Sequence, residues 1–147
     1  MTDSGEALRK LPKGRWIGGT SVYLVTEKGG CVDRENLFVT EREGITDSRI
    51  EHRLPEALPE LGKDRFDNGM SMILIPAFSK AHAQFAIDGA CHTGLFDPPR
   101  MGLVTGMQLD DLGKVTPKVF DGCNGSVHEE GAMLMHVSLP ADRTAAL

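Results

Sequence analysis

The feature that most constrains this chain is the junction between an apolar run and a capped helix at residues 69–89. Gly69 to Phe78 (GMSMILIPAF) is the most apolar segment. Its Met72, Ile73, Leu74 and Ile75 lack the polar alternation of a strand with one wet face, so the run reads as a central strand covered on both sides. Pro76 lies near its end, where a missing N–H does least harm. Ser79 supplies a helix N-cap, and Lys80 to Asp88 (KAHAQFAID) reads as a short helix with Ala81, Phe85 and Ala86 on one buried face. Gly89 closes that helix.

Other strands gather around this unit. Ser21 to Glu27 is rich in β-branched and aromatic residues, and Lys28-Gly29-Gly30 is a hairpin signal. Asn36 to Glu41 reads as the returning strand and Thr46 to Leu54 as a third, more exposed one. Pro55 to Asn68 is a proline-interrupted loop with room for one helical turn. Met101 to Leu109 is a glycine-bearing strand, Asp110 to Gly113 a turn, and Lys118 to Phe120 another strand. Asp121 to Ser126 is a tight turn, and Gly131 to Leu139 is the last strong strand. Hairpins favour antiparallel pairing, whereas strand–helix–strand adds a parallel pair. The expected fold is therefore α/β of the α+β kind. It is a single domain over 15–147, after a polar N-terminal segment at 1–14. It has a mixed, mostly antiparallel sheet with one or two helices, and Met133, Leu134 and Val137 lie close to the central strand.

Composition narrows the function classes. A chain of 147 residues buries a core without disulfide staples. Its net charge of −5 and scattered cations argue against nucleic acid as a partner. Three cysteines, Cys31, Cys91 and Cys123, lack CxxC spacing and read as reduced thiols in a cytoplasmic protein. No signal peptide opens the chain, and no apolar stretch is long enough to span a membrane.

Several residues are candidates for chemistry. Cys91-His92 sits between a helix and a glycine–proline loop, where a thiolate beside a histidine can act as a nucleophile. Adjacent residues often point apart, and no third orienting group is evident. His82, Cys91, His92, Cys123 and His128 have the residue types of a zinc site but match no metal-binding spacing, so no metal and no cofactor is expected. His136 lies mid-strand, where a hydrogen-bonded structural role competes with ligand binding. Gly18-Gly19-Thr20 offers N–H groups to an anion without being a P-loop. Arg100 is the one basic residue of the Ala90 to Arg100 loop and suits a carboxylate. Asp110-Asp111 and the Asp121 turn read as turn chemistry.

Trp16-Ile17-Gly18-Gly19-Thr20, followed by a strand, resembles the opening of FIST-type sensory domains. The order of segments from Met70 to Val137 is similar too: an apolar strand, a helix, a proline loop, a glycine-bearing strand, KVFDGCNG, and a last strand entered through Gly131-Ala132. That resemblance implies a bacterial signal-input module that binds a small molecule, such as an amino acid or carboxylate. The chain is shorter than such a region and carries no output domain, which implies a signalling partner protein or a homo-oligomer. Gly18, Gly19, Thr20, Cys91, His92, Arg100 and His136 are the expected ligand-binding residues. The competing expectations are an enzyme using Cys91 with His92, and a protein-interaction module.

Overall fold

In the computed structural model, which describes residues 4–92 and 99–145, a short helix (α1, Ser4–Arg9) leads into β1 (Ile17–Gly19). A hairpin of β2 (Tyr23–Thr26) and β3 (Gly29–Val32) follows, then β4 (Asp47–Arg53) and a 3-10 turn at Pro55–Glu60. The strand β5 (Gly69–Pro76) runs into α2 (Lys80–Asp88), and β6 (Arg100–Thr105) comes next. Three strands close the chain: β7 (Val119–Asp121), β8 (Val127–His128) and β9 (Ala132–Ser138). The fold is α+β and mostly antiparallel.

The central sheet has the order β4-β9-β5-β6. Its β5–β6 ladder is parallel, because α2 carries the chain back across the sheet, and its other two ladders are antiparallel. A three-stranded sheet, β1-β7-β8, and the β2–β3 hairpin complete the strands. Among the described residues, the expected single sheet is thus three.

Two layers cover the central sheet. Ile73 and Ile75 turn to one face, where they form a core with Leu58, Leu61, Ala81, Ala132 and Leu134, and Phe85 packs against it. On the other face lie Leu74, Met133, Met135, Val137 and Thr105, against β1 and β7. The apolar run in β5 follows from this double burial: each face needs its own hydrophobic residues.

Local chemistry explains the ends of α2. Ser79 accepts the N–H of His82 at 3.0 Å and donates its hydroxyl to the Pro76 carbonyl at 2.7 Å. Glu130, from the β8–β9 turn, accepts the N–H groups of Lys80 and Ala81, each at 2.9 Å. Two further N–H groups that the helix leaves unpaired are satisfied this way, by an anion at the positive end of the helix dipole. Just before the cap, Phe78 takes a left-handed φ of 64°, which costs a non-glycine residue about 1 kcal/mol.

Two expectations are corrected. The partner of β2 is Gly29–Val32, not Asn36–Glu41, which forms no strand. The register joins Thr26 to Gly29, leaving Glu27-Lys28 as a two-residue turn, and Gly29 adopts φ 108°. In the N-terminal segment, Ser4–Arg9 is helical, and Leu8 is buried against Gly18 of β1. Thr46 to Leu54 contains β4, which pairs with β9.

Candidate functional site

The ladders of the central sheet place four polar residues in one row. Ser71 is in register with Arg100 on β6 and with His136 on β9, and His136 is in register with Arg49 on β4. Residues opposite one another in a sheet emerge on the same face, so this row lies under the layer that holds the 55–60 turn and α2.

Ser71 is 1% exposed and His136 fully buried. His136 Nε2 lies 3.0 Å from Glu51 Oε1, and the Ser71 hydroxyl lies 2.7 Å from Nδ1. The Glu51 carboxylate also accepts from Arg53 at 2.8 Å, and Arg53 pairs with Asp64. Burial pushes the Glu51 carboxyl up, but the hydrogen bonds from His136 and Arg53 outweigh it and hold its pKa below the ordinary value. An ionised Glu51 only accepts, so Nε2 carries the proton and donates. In the neutral ring Nδ1 is then the acceptor, and the Ser71 hydroxyl donates to it.

The order Ser71–His136–Glu51 has the parts of a nucleophile relay. A nucleophile must meet its substrate, however, and Ser71 Oγ is sealed in mid-strand. The relay is therefore an internal polar clamp joining β4, β9 and β5.

Arg100 ends the row. Its Nη2 donates to the Leu61 carbonyl at 3.3 Å. Nε and Nη1 are buried and have no hydrogen-bond partner among the described residues. Burial, and then the nearby charge of Arg65, push its pKa down. A half-buried guanidinium near a second positive charge, with two buried donors unpartnered among the described residues, has the electrostatics of an anion site. His92 ends the helical crossover that leads to β6. It is 7% exposed and sits edge-on to Phe85 at 5.9 Å between ring centroids. Its two ring nitrogens are likewise buried and unpartnered among the described residues. Residues 93–98 of the expected loop lie outside the described residues.

The remaining expected site residues are elsewhere. Cys91 is exposed in a 3-10 turn while its neighbour His92 points inward, so the pair does not form a nucleophile–base contact. Gly18, Gly19 and Thr20 lie at β1, on the opposite side of the central sheet from Ser71 and His136. A Cβ at Gly18 would press on Leu8, and one at Gly19 would collide with Cγ2 of Thr105. Thr20 is buried, with its hydroxyl accepting the Lys118 N–H at 3.0 Å. These small residues let β1 approach the sheet. The Asp121 carboxylate closes its own turn, accepting from the Cys123 N–H at 2.8 Å and the Asn124 amide at 2.9 Å. No three or more His, Cys, Asp or Glu side chains gather for a metal among the described residues.

A second feature, an open groove of about 430 Å³, is lined by Arg9, His52, Leu54, Lys118, Val127 and His128, with Glu129 and Glu130. The His52 and His128 rings stack at 3.7 Å. Burial, and then the adjacent His52, lower the pKa of His128, against a smaller upward pull from Asp121.

Sequence reading missed Ser71 and Glu51. A signal for Ser71 was present: a hydroxyl inside an apolar run must find a buried partner. No helix among the described residues is long and apolar enough to cross a membrane. No curated protein and no solved structure matches the chain. Residues 1–147 match DUF6976, described as a family of unknown function, and the chain belongs to that family.

Proposed function

We propose that this protein is a small-molecule-binding module, of the sensory kind implied by its likeness to FIST-type domains, and that its ligand is a small carboxylate held by Arg100. The observation that carries this reading is the guanidinium whose Nε and Nη1 are buried and without a hydrogen-bond partner among the described residues, near the charge of Arg65. An unpaired buried charge is costly, and a carboxylate matches the guanidinium fork with two parallel hydrogen bonds. The Ser71–His136–Glu51 clamp supports the neighbouring strands, so the row presents Arg100 from a rigid sheet rather than from a loop.

The test is thermal melting with acetate, succinate and amino acids, on wild type, Arg100→Met and Cys91→Ala. A carboxylate at a hundredfold excess over its dissociation constant stabilises wild type by about 2.7 kcal/mol. Cys91→Ala keeps that shift and Arg100→Met loses it. Without ligand, Arg100→Met is at least as stable as wild type, because it removes a half-buried charge whose Nε and Nη1 have no hydrogen-bond partner among the described residues. If no carboxylate moves the wild-type melt and Arg100→Met is destabilised, Arg100 is a structural residue and the reading fails.

A further inference from the structure

We propose that the free edge of β6 pairs with β6 of a second copy, joining two central sheets into one of eight strands about a two-fold axis. Among the described residues, β6 has a ladder on one side only, with β5, and its far edge is bonded only past the strand's end, where the Gly106 N–H donates to the Thr20 carbonyl. The Ser71 N–H donates to the Pro99 carbonyl and the Ala77 N–H to the Thr105 carbonyl, each at 3.0 Å. In a parallel ladder that alternation turns the N–H groups of Met101, Leu103 and Thr105 toward β5. The N–H groups of Gly102 and Val104 therefore point outward from the sheet. An open row of this kind is a template for another strand.

Symmetry selects the register. A two-fold contact between identical strands is antiparallel, and outward-pointing residues must meet outward-pointing ones. Centring the axis on Gly102 meets both conditions. Gly102 then faces Gly102 of the partner subunit, and Arg100 faces Val104 of the partner subunit. Met101 faces Leu103 of the partner subunit in a non-hydrogen-bonded pair, the closer kind, on the face opposite Arg100.

The surroundings of the edge are unusually apolar. Leu103 is 54% exposed and Phe38 67%, and Val39, Met101, Val104 and Leu109 are exposed as well. The Arg42 guanidinium reaches Met101 Sδ at 3.8 Å, which links Arg42 to this strand. Gly106 N–H donates to the Thr20 carbonyl at 2.8 Å, and Leu109 N–H to the Tyr23 hydroxyl at 3.1 Å, so the β2–β3 hairpin joins the same flank. The six apolar side chains, on both faces of the strand and on the segments near it, together expose on the order of 600 Å², approaching the roughly 800 Å² per partner of a stable interface. The hairpin's exposed Tyr23, Val25 and Val32 add to it. A second copy matches the area, the apolar character and the open edge together.

Sedimentation of the full chain over a concentration series tests the pairing, with hydrogen exchange of residues 101–104 measured at both ends of the series. Wild type sediments at twice the chain mass, and the Gly102 and Val104 amides lose protection on dilution. Leu103→Lys and Val104→Glu, both at exposed positions, sediment as monomers with unchanged melting of the isolated chain. A wild-type monomer at about 100 μM, a dissociation constant far weaker than the micromolar range of ordinary complexes, overturns the proposal. So does a dimer that both variants leave intact, or one in which Gly102 and Val104 exchange freely.

Discussion

Ser71 and His136 face each other across the β5–β9 ladder, and the serine hydroxyl donates to the imidazole over 2.7 Å. Neither side chain reaches solvent, so the Ser71 hydroxyl and Nδ1 of His136 depend on each other for this hydrogen bond, while Nε2 is held by Glu51. Ser71→Ala leaves Nδ1 of His136 without a donor, and an unmet buried acceptor costs about 1–3 kcal/mol. Chemical denaturation is expected to show that loss with an unchanged m-value. The double variant Ser71→Ala/His136→Leu should lose less than the sum of the single changes, because the two groups are coupled. Strict additivity would show that the hydrogen bond contributes nothing.

Acid should weaken the protein in two separate windows. The folded pKa of His128 is lowered, first by burial and then by His52, so the unfolded chain takes up this proton more readily. Its stabilising contribution is complete above the unfolded histidine value of about 6.5 and is lost as pH falls through the lower folded value. The folded pKa of Glu51 is lowered as well, because bonds from His136 and Arg53 overcome its burial. Its contribution is complete above the unfolded value of about 4.3 and disappears as pH falls through the folded one. Urea midpoints from pH 8 to pH 3 should fall in both windows. His128→Gln should flatten the upper window and Glu51→Gln the lower; an unaltered profile in either variant refutes the assignment for that residue.

Gly19→Ala tests the close approach of β1 to the sheet. The new methyl collides with Cγ2 of Thr105, a buried side chain with no room to withdraw. Overpacking of this kind costs about 1–3 kcal/mol. Thr105→Ser removes the colliding methyl, so Gly19→Ala/Thr105→Ser should recover much of the melting temperature lost in Gly19→Ala. A Gly19→Ala protein as stable as wild type would show that β1 tolerates a side chain there.

Local and periodic information was enough for much of the fold. The unbroken apolar run at Met72–Ile75 required a strand covered on both faces, and Ser79 capped the start of α2 within one turn, whereas Gly89 stays right-handed and the helix passes into a 3-10 turn at Gly89–Cys91. The strong strand ending the chain was legible for the same reason. Pairing was not. Whether β2 turns back at Gly29 or at Asn36 depends on which register closes the hairpin, and both segments carry strand-forming residues. The candidate site was legible only in fragments. Arg100 and His136 stood out by residue type, but 36 positions separate them in the chain. What aligns them is the register of β5 with β6 on one side and β9 on the other, which puts Ser71 between them on one face. The same register sends Gly18 and Gly19 to the opposite layer, where their small size serves packing. Residue types and spacing determined which segments become strands and helix; only the tertiary pairing decided which polar groups meet, because a shift of one residue in any ladder turns every side chain to the other face.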